Sequence, residues 1–365
     1  MRLGIIGLPL SGKTTFFNAV TRSRAQTGGY GSQTQPNVGV VQVPDERVDR
    51  LAELYRPKKK TYATIEYVDF PAGSEAFGKG GGIGGRFFNE LARMDALIGV
   101  VRAFRNDTVP HPEGSVDPDR DIATLEMELA FADLAIIERR LQRLETEIRS
   151  LRAGERDRPQ RLADLLRRLK EGLEGEMPIR AQPLSTDEHE LLEGTQFLTA
   201  KPLLLVINIG EEDLPRRGAI EAAYRERYRA PARDAAAMCA KFEAELNELS
   251  EEEAAAFRAD AGVSESGAAQ AIRASYALLG LISFLTAGPD ECRAWTIRAG
   301  ATAPEAAGKI HSDLQRGFIR AEVIRFEDLV AAGSEAEARK RGLVRTEGKS
   351  YVVQDGDVLH ILFSV

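Results

Sequence analysis

The chain has 365 residues, of which 43% are hydrophobic, so it is long enough for two or three domains with proper cores. Its net charge of -7 excludes a protein that is polycationic throughout, and any contact with nucleic acid must come from a local patch. The two cysteines, Cys239 and Cys292, lie far apart and indicate neither a disulfide framework nor a zinc site, which favours a reducing, cytoplasmic compartment. No run reaches the roughly 18 apolar residues of a membrane helix, so we expect no membrane contact.

A short apolar run at the N-terminus leads directly into Gly7–Thr14, which matches the pattern G-x-x-x-x-G-K-[ST] at every fixed position. Glycines let the backbone curl so that N–H groups point at phosphate oxygens, and the helix that follows adds its positive end. Lys13 can reach the β- and γ-phosphates, and the Thr14 hydroxyl can bind Mg²⁺. The pattern therefore predicts a nucleotide site at Gly7, Pro9, Leu10, Ser11, Gly12, Lys13, Thr14 and Thr15.

Two glycine-rich segments follow the first helix. The first, 28–37, is too polar for a regular element and is either a switch loop in which Thr34 or Ser32 binds the metal, or a plain solvated loop. A strand-like run then ends at Asp69, at the place where an acid organises Mg²⁺ in proteins with a phosphate loop. The second glycine-rich segment, 71–85, is the candidate for a second switch.

Between and after these segments, the sequence predicts further regular elements. The valines of 38–43 predict a strand, and 45–55 has one apolar helical face. The basic run Arg56–Lys60 is a solvated turn or a binding site, and the pattern leaves both open. A wholly apolar run, 96–101, predicts a buried parallel strand, and the Pro-rich loop after it carries His111.

The chain becomes charged and leucine-spaced from Asp117 to about Gly172. Its apolar residues are separated alternately by four and three positions, as at the seam of two packed helices, and a break at 154–159 divides them. This pattern predicts an antiparallel helical hairpin inserted into the first domain. Eleven Lys and Arg against seven Asp and Glu in 135–172 give a local excess of +4, so the hairpin surface is either solvated or contacts RNA phosphates.

Apolar runs at 203–207 and 235–238 predict the last strands of a doubly wound, mostly parallel α/β sheet, which binds its ligand at the carboxyl ends of the strands. The section from about Leu285 is separate and predicts a small α+β domain. It has a helix-like run at 303–310 and strand-like runs at 292–297, 318–324, 350–353 and 358–363.

The most specific motifs of the chain lie in this last section, at Thr286–Gly288, Glu291–Ile297, Ala303–Asp313 and Tyr351–Val358. They look like the ubiquitin-like TGS domain of the YchF-type members of the Obg-related P-loop NTPases, and the resemblance covers essentially the whole chain. It implies a P-loop nucleotide-binding domain with an inserted helical hairpin and a C-terminal α+β TGS domain. The corresponding boundaries are 1–118 and 195–284 for the first, 119–194 for the second and 285–365 for the third.

The resemblance also bears on the choice of base. Most relatives in the wider class recognise guanine with an Asn-Lys-x-Asp motif, whose Asp pairs with two adjacent N–H donors. The corresponding run here is Asn208-Ile209-Gly210-Glu211, which lacks the Lys and carries a longer acid that can crowd guanine. The resemblance implies a preference for ATP and leaves GTP possible. Cys239-Ala240-Lys241 matches the family's base-supporting Ser-Ala-Lys loop except at Cys239.

Both switch segments depart from the family pattern. The second reads Asp69-Phe70-Pro71-Ala72-Gly73 in place of Asp-x-x-Gly, and Gln35 stands where the first normally has an acid. These departures weaken the expectation that the γ-phosphate is coupled to conformation. Family members of this type are thought to orient water with a His from a mobile loop, and the resemblance gives that role to His111. Lys13 is the second predicted catalytic residue, because it neutralises phosphate charge. The alternative for His111 is a surface loop histidine.

The function that follows is a nucleotide-dependent switch that hydrolyses ATP slowly with Mg²⁺. Similarity to translation-associated factors implies the ribosome or its RNA as a partner, contacted through the hairpin and the TGS-like domain. The alternative is a nucleotide-bound scaffold or RNA-binding module with little hydrolysis-driven switching. A small-molecule kinase is disfavoured because no Arg-rich lid is evident in the sequence, and the oligomeric state is not predicted.

Overall fold

The computed structural model describes residues 1–25, 35–70 and 85–364. The described parts of Met1–Gly39 and Glu66–Ala274 form one compact unit, and those of Val40–Ile65 and Ser275–Val365 form another. The strands, in chain order, are β1 Arg2–Ile6, β2 Asn37–Gln42, β3 Lys59–Thr61, β4 Thr64–Asp69, β5 Ala96–Arg102, β6 Leu203–Asn208, β7 Arg233–Met238, β8 Leu281–Thr286, β9 Glu291–Arg298, β10 Phe318–Arg325, β11 Arg345–Glu347 and β12 Asp357–Phe363.

The helices have the following bounds, and a 3₁₀ helix at Glu211–Arg216 follows β6. They are α1 Lys13–Thr21, α2 Glu46–Tyr55, α3 Gly85–Ala92, α4 Pro118–Ser150, α5 Asp157–Glu174, α6 Thr186–Leu191, α7 Arg217–Tyr228, α8 Ala240–Leu246, α9 Glu251–Asp260, α10 Gly267–Leu278, α11 Ala303–Ile310, α12 Ser312–Arg316, α13 Phe326–Ala332 and α14 Glu335–Lys340.

The first sheet has the strand order β2-β4-β1-β5-β6-β7. Strand β1 pairs in parallel with β4 and β5, and β6 pairs in parallel with β5 and β7. Every residue of β5 and β6 is buried, as expected for strands that are covered on both faces of a parallel sheet. The predicted α/β fold is confirmed, and its parallel strands bring the ends of β1, β4, β5 and β6 to one edge of the sheet.

The predicted helical hairpin is confirmed as α4 and α5. Lys170 bonds Glu138 at 2.8 Å and Arg167 lies 3.9 Å from Glu145, so residue numbers rise along one helix as they fall along the other. Buried leucines and isoleucines of both helices fill the seam, including Ile137. Although α4 has 33 residues, neither it nor any other helix in the described part of the chain is long and apolar enough to cross a membrane.

A buried carboxylate attaches α4 to the segment that leads into β6. Asp133, which is fully buried, accepts bonds from the backbone N–H groups of Leu198 and Thr199, both at 2.8 Å, and from the Thr199 hydroxyl at 2.6 Å. Three donors satisfy a carboxylate that burial would otherwise make costly. Nearby in the sequence, Lys201 donates to the carbonyl oxygens of Ala92 and Met94. The Asp133 contacts fix the base of the hairpin, whereas those of Lys201 hold the same segment at the end of α3.

The second sheet has the order β11-β10-β12-β8-β9-β3 and mixes parallel and antiparallel pairs. Its outermost strand, β3, comes from the N-terminal half of the chain and pairs in parallel with β9. The basic run predicted as a turn therefore ends in a strand. Its lysines pair with acids, Lys58 with Asp290 at 2.8 Å and Lys60 with Asp49 at 2.7 Å, which favours the solvated interpretation over a binding site.

The compact units therefore follow different boundaries from the predicted domains. Residues 40–65, which the prediction placed in the nucleotide-binding domain, group with the C-terminal unit, and β8 begins four residues before the predicted start at 285. The predicted strand at 350–353 is wrong, because only Val352 makes a bridge, to Thr302. Asp357 turns the chain there by accepting bonds from the Gln354 N–H and the Tyr351 hydroxyl. Sequence analysis missed β3, β8 and β11 and several helices, among them α3, α7, α10, α13 and α14.

Candidate nucleotide-binding site

The loop between β1 and α1 has the shape that a phosphate-binding turn needs. Ser11 N–H donates to the Leu8 carbonyl, and Gly12 caps α1 with a left-handed backbone at φ 92°. A Cβ atom at Gly12 would lie 2.3 Å from Nδ2 of Asn208, and one at Gly7 would lie 2.4 Å from the carbonyl oxygen of Val100. Only glycine fits at either position, so sterics as well as backbone freedom explain the motif.

Polar groups of this loop converge on its interior. Lys13 Nζ donates to the carbonyl oxygens of Gly7 and Leu8, at 3.0 and 3.1 Å, and so lies across the turn. Ser11 is 2% exposed, and its Oγ has no hydrogen-bond partner among the described residues. Of the other predicted loop residues, Pro9 and Thr15 are half-buried and Leu10 is 48% exposed with φ 62°. An ammonium and a buried hydroxyl beside the N–H groups of a helix start are donors for an anion.

Thr14 and Asp69, the two predicted metal ligands in the described residues, lie together. The Thr14 hydroxyl donates to Oδ2 of Asp69 at 3.0 Å, and Asn37 Nδ2 lies 3.4 Å from the same oxygen. Asp69 ends β4 and is 1% exposed. A hydroxyl and a carboxylate fit Mg²⁺, which usually takes few protein ligands and completes its shell with water and phosphate oxygens. Consistent with this, the described residues hold no cluster of three or more His, Cys, Asp or Glu side chains suited to a metal.

Asn208 joins this loop to the predicted base-binding residues. It is 4% exposed, and its Nδ2 donates to the Ser11 carbonyl at 3.0 Å while its Oδ1 accepts from the Ala240 N–H at 3.0 Å. Because the amide nitrogen donates one hydrogen bond and the amide oxygen accepts the other, the orientation of the side chain is fixed. Asn208 therefore holds residues 239–241, called the base loop below, in a fixed position relative to the phosphate loop.

The remaining predicted base contacts surround the start of α8. Glu211 Oε1 bonds Lys241 Nζ at 2.9 Å, and both side chains are partly exposed. Ile209 is buried, and its N–H donates to the Met238 carbonyl. Burial raises the pKa of the Cys239 thiol to about 11, so the thiol stays protonated at neutral pH. A weak thiol donor thus stands where the pattern has a hydroxyl.

The chain is similar to known proteins over essentially its full length. The ribosome-binding ATPase YchF of Bacillus subtilis is 43% identical over 99% of both chains, and that of Escherichia coli O157:H7 is 40% identical over 100% of this chain and 99% of the other. The chain belongs to the YchF family. Obg-like ATPase 1 of Caenorhabditis elegans is 36% identical over 100% of this chain and 92% of the other.

The structure is similar to that of the YchF GTPase of Schizosaccharomyces pombe, with a TM-score of 0.83, 33% identity, and coverage of 99% of this chain and 97% of the other. The family model YchF-GTPase_C, described as a protein of unknown function (DUF933), matches residues 281–364. The fold, the family and the assignment to the P-loop NTPases are thus established for this chain. The TGS-like character predicted for its C-terminal section is confirmed.

His111 was predicted to be either a catalytic residue on a mobile loop or a surface histidine, and in the structure it is buried. The histidine is not a surface residue, because its side chain is 3% exposed and bonds Asp121 at 2.8 Å. The loop begins with Arg102, which is 2% exposed and donates to the carbonyl oxygens of Phe104 and Val109. The surface alternative for His111 is therefore wrong, while its catalytic role stays a prediction.

Sequence reasoning missed the groups that hold the loop of His111. Arg102 was the available signal, because it is a charge that ends a wholly apolar strand. Asp121 follows the helix start at Asp117-Pro118 and is buried in the first turn of α4, where acids are usually solvated. Thr34 and Ser32 lie outside the described residues, as does the second switch candidate except for Gly85, where α3 begins.

Proposed function

We propose that this YchF-family NTPase binds ATP with Mg²⁺, hydrolyses it slowly, and uses its nucleotide state to control binding to the ribosome. The observation that carries the nucleotide part is the Thr14–Asp69 pair beside the glycine loop. Thr14 and Asp69 would hold Mg²⁺, with Thr34 as a further predicted ligand. Bound there, the ion neutralises charge on the triphosphate. Lys13 and the loop N–H groups hold the β- and γ-phosphates, and His111 orients the attacking water.

The preference for ATP rests on Glu211 and on the base loop. Glu211 occupies the position of the guanine-reading Asp, and its carboxylate is bonded to Lys241 rather than free to pair with two guanine N–H donors. The names of the relatives differ in this respect, because some are called ATPases and one is called a GTPase. Calorimetric titration with both nucleotides decides the matter. We expect ATP to bind more tightly, and GTP binding roughly tenfold tighter, about 1.4 kcal/mol, would overturn the preference.

Hydrolysis is tested with Lys13→Ala and a matched variant, Lys349→Ala, which removes an exposed lysine far along the chain. We expect Lys13→Ala to lose ATP affinity and steady-state turnover because one phosphate contact disappears, whereas Lys349→Ala keeps both. A wild-type protein that binds no nucleoside triphosphate in the presence of magnesium, while folded, would disprove the nucleotide-binding proposal.

Ribosome binding is proposed because relatives at 40% and 43% identity are named ribosome-binding ATPases. On α4, Arg139 and Arg143 share an exposed face with Gln142 and Thr146, which suits RNA phosphates. Co-sedimentation with ribosomes should differ between ATP, ADP and no nucleotide. Equal binding in all three conditions would favour the scaffold alternative.

A charge-matched pair of variants tests the hairpin in the same assay. We expect the double variant Arg139→Glu with Arg143→Glu to bind ribosomes more weakly and with a smaller salt dependence, because two phosphate contacts are lost. The control is Arg50→Glu with Arg229→Glu, which changes the net charge equally at other positions. Equal weakening by both pairs would show that net charge, and not the hairpin face, is responsible.

A further inference from the structure

His111 is held where neither of its ring nitrogens is free. Its Nε2 lies 2.8 Å from Oδ2 of Asp121, and its Nδ1 accepts the backbone N–H of Glu113 at 3.1 Å. The side chains of His111 and Asp121 are each 3% exposed. Both nitrogens are therefore occupied within the protein and shielded from solvent.

The donors around the ring assign its tautomer. Because Glu113 donates to Nδ1, the proton of the neutral ring lies on Nε2 and is donated to Asp121. Arg120 Nη2, another donor, lies 3.4 Å from Nδ1 and favours the same arrangement. A histidine that orients water or takes its proton needs a nitrogen lone pair that faces the water. In this position His111 has none to offer.

The acceptor belongs to the helical hairpin. Asp121 lies in the first turn of α4, and its other oxygen accepts two bonds from the Arg120 guanidinium, at 2.8 and 3.1 Å. Asp117 caps the same turn by accepting the Arg120 N–H. Anything that moves the start of α4 therefore moves the group that holds His111.

The loop that carries His111 starts at the end of β5, beside the phosphate loop. The Arg102 guanidinium stacks on Phe104 at 4.6 Å and ties the loop together through its bonds to the carbonyl oxygens of Phe104 and Val109. A Cβ atom at Gly12 would lie 3.9 Å from Cε1 of Phe104. One short loop thus connects the nucleotide site to the first turn of the hairpin.

We propose that Asp121 is a positioning residue that latches His111 to α4 in a resting arrangement, and that hydrolysis requires this latch to open. The inference rests on the proposed function, namely ATP hydrolysis assisted by His111. When the Nε2–H···Oδ2 bond breaks, the imidazole is released and can present a nitrogen to water. The latch makes the basal rate low and couples it to forces on the hairpin.

Steady-state kinetics with the full-length protein test the latch. We expect Asp121→Ala to raise kcat for ATP on the order of tenfold with little change in KM, because one charge-assisted bond no longer holds the histidine. Asp121→Asn keeps a neutral acceptor and should give a smaller rise. The control is Asp119→Ala, since Asp119 lies in the same turn but bonds Tyr228 and Arg227. An unchanged or lower kcat in both Asp121 variants, with wild-type melting and ATP affinity, would disprove the latch.

Two further measurements separate this inference from the proposed function. His111→Ala should abolish the gain that Asp121→Ala produces; a gain that survives would show that Asp121 acts without His111 and would overturn the proposal. Long-range ¹H–¹⁵N NMR of the wild-type protein should show the Nε2–H tautomer for His111. An Nδ1–H tautomer contradicts the latch whatever the activity. Absence of hydrolysis in every variant, with the Nε2–H tautomer present, would overturn the proposed hydrolysis and leave the contact purely structural.

Discussion

The side-chain amide of Asn208 donates to the backbone carbonyl of Ser11 at 3.0 Å, across 197 residues of sequence. The same side chain accepts the N–H of Ala240, so one buried residue ties the phosphate loop to the base loop. An amide donates at one end and accepts at the other, so the single side chain of Asn208 makes both bonds.

Asn208→Ala should lower both nucleotide affinity and stability. It leaves the Ser11 carbonyl and the Ala240 N–H without their partner, at about 1–3 kcal/mol for each buried group, and lets the two loops move apart. We expect ATP to bind roughly tenfold to a hundredfold more weakly by calorimetry. Asn89→Ala, on α3, is the control. Wild-type affinity in Asn208→Ala would contradict the bridging role.

Gly12→Ala should abolish nucleotide binding in a protein that still folds. Its Cβ atom would overlap Nδ2 of Asn208 at 2.3 Å, and its φ of 92° is strained for alanine. Gly218→Ala is the matched control, because a Cβ atom there meets nothing within 4 Å and its φ is not positive. We expect it to leave binding unchanged and to raise the free energy of unfolding by up to about 1 kcal/mol. Equal ATP affinity in both variants would show that the contact is not needed.

Asp133 should make stability depend on pH. Burial is the largest cause that raises its pKa from 3.8 to about 6, although the bonds from Thr199 and Leu198 oppose it. Between these two values the folded state retains a proton that the unfolded state has lost, so the contribution of this group to stability falls as pH rises. The difference in unfolding free energy between wild type and Asp133→Asn should therefore decrease by up to roughly 3 kcal/mol from about pH 4 to pH 6, and then level off.

This prediction is checked by denaturant unfolding at a series of pH values. Asp187→Asn, whose side chain is 76% exposed on α6, is the control for removing one carboxylate. A flat difference for Asp133→Asn would mean that the carboxyl titrates alike in the folded and unfolded states.

The two thiols should be unreactive in the folded protein. Cys239 is 3% exposed and Cys292 is fully buried, and burial raises the pKa of both. Because the thiolate is the nucleophile, iodoacetamide at mildly alkaline pH should label neither cysteine. Mass spectrometry should find both labelled once guanidinium chloride is added. Rapid labelling of Cys239 without denaturant would show that the base loop opens.

The parts of the site that follow from local geometry were predictable. The glycine pattern fixes the loop, and Thr14 meets Asp69 because strands of a parallel sheet end at one edge. The heptad-like spacing likewise predicted the packing of α4 on α5, since that periodicity directly sets which side chains face each other.

Contacts between distant segments were not predictable in the same way. Nothing in the composition of Lys59–Thr61 shows that it pairs with β9, more than 230 residues later, so a short basic run looked like a turn. The burial of His111 had the same cause, because its acceptor Asp121 resembles any acid in the first turn of a helix.

The pairing of β3 with β9 affects how fragments of this protein should be made. A fragment limited to residues 281–364, the extent of the family model, would omit β3 and leave the backbone groups on one side of β9 bare. Exposed strand edges recruit other chains, so such a fragment should self-associate during purification. Co-expression with a peptide that spans 40–65 should restore the missing edge and keep the fragment dispersed.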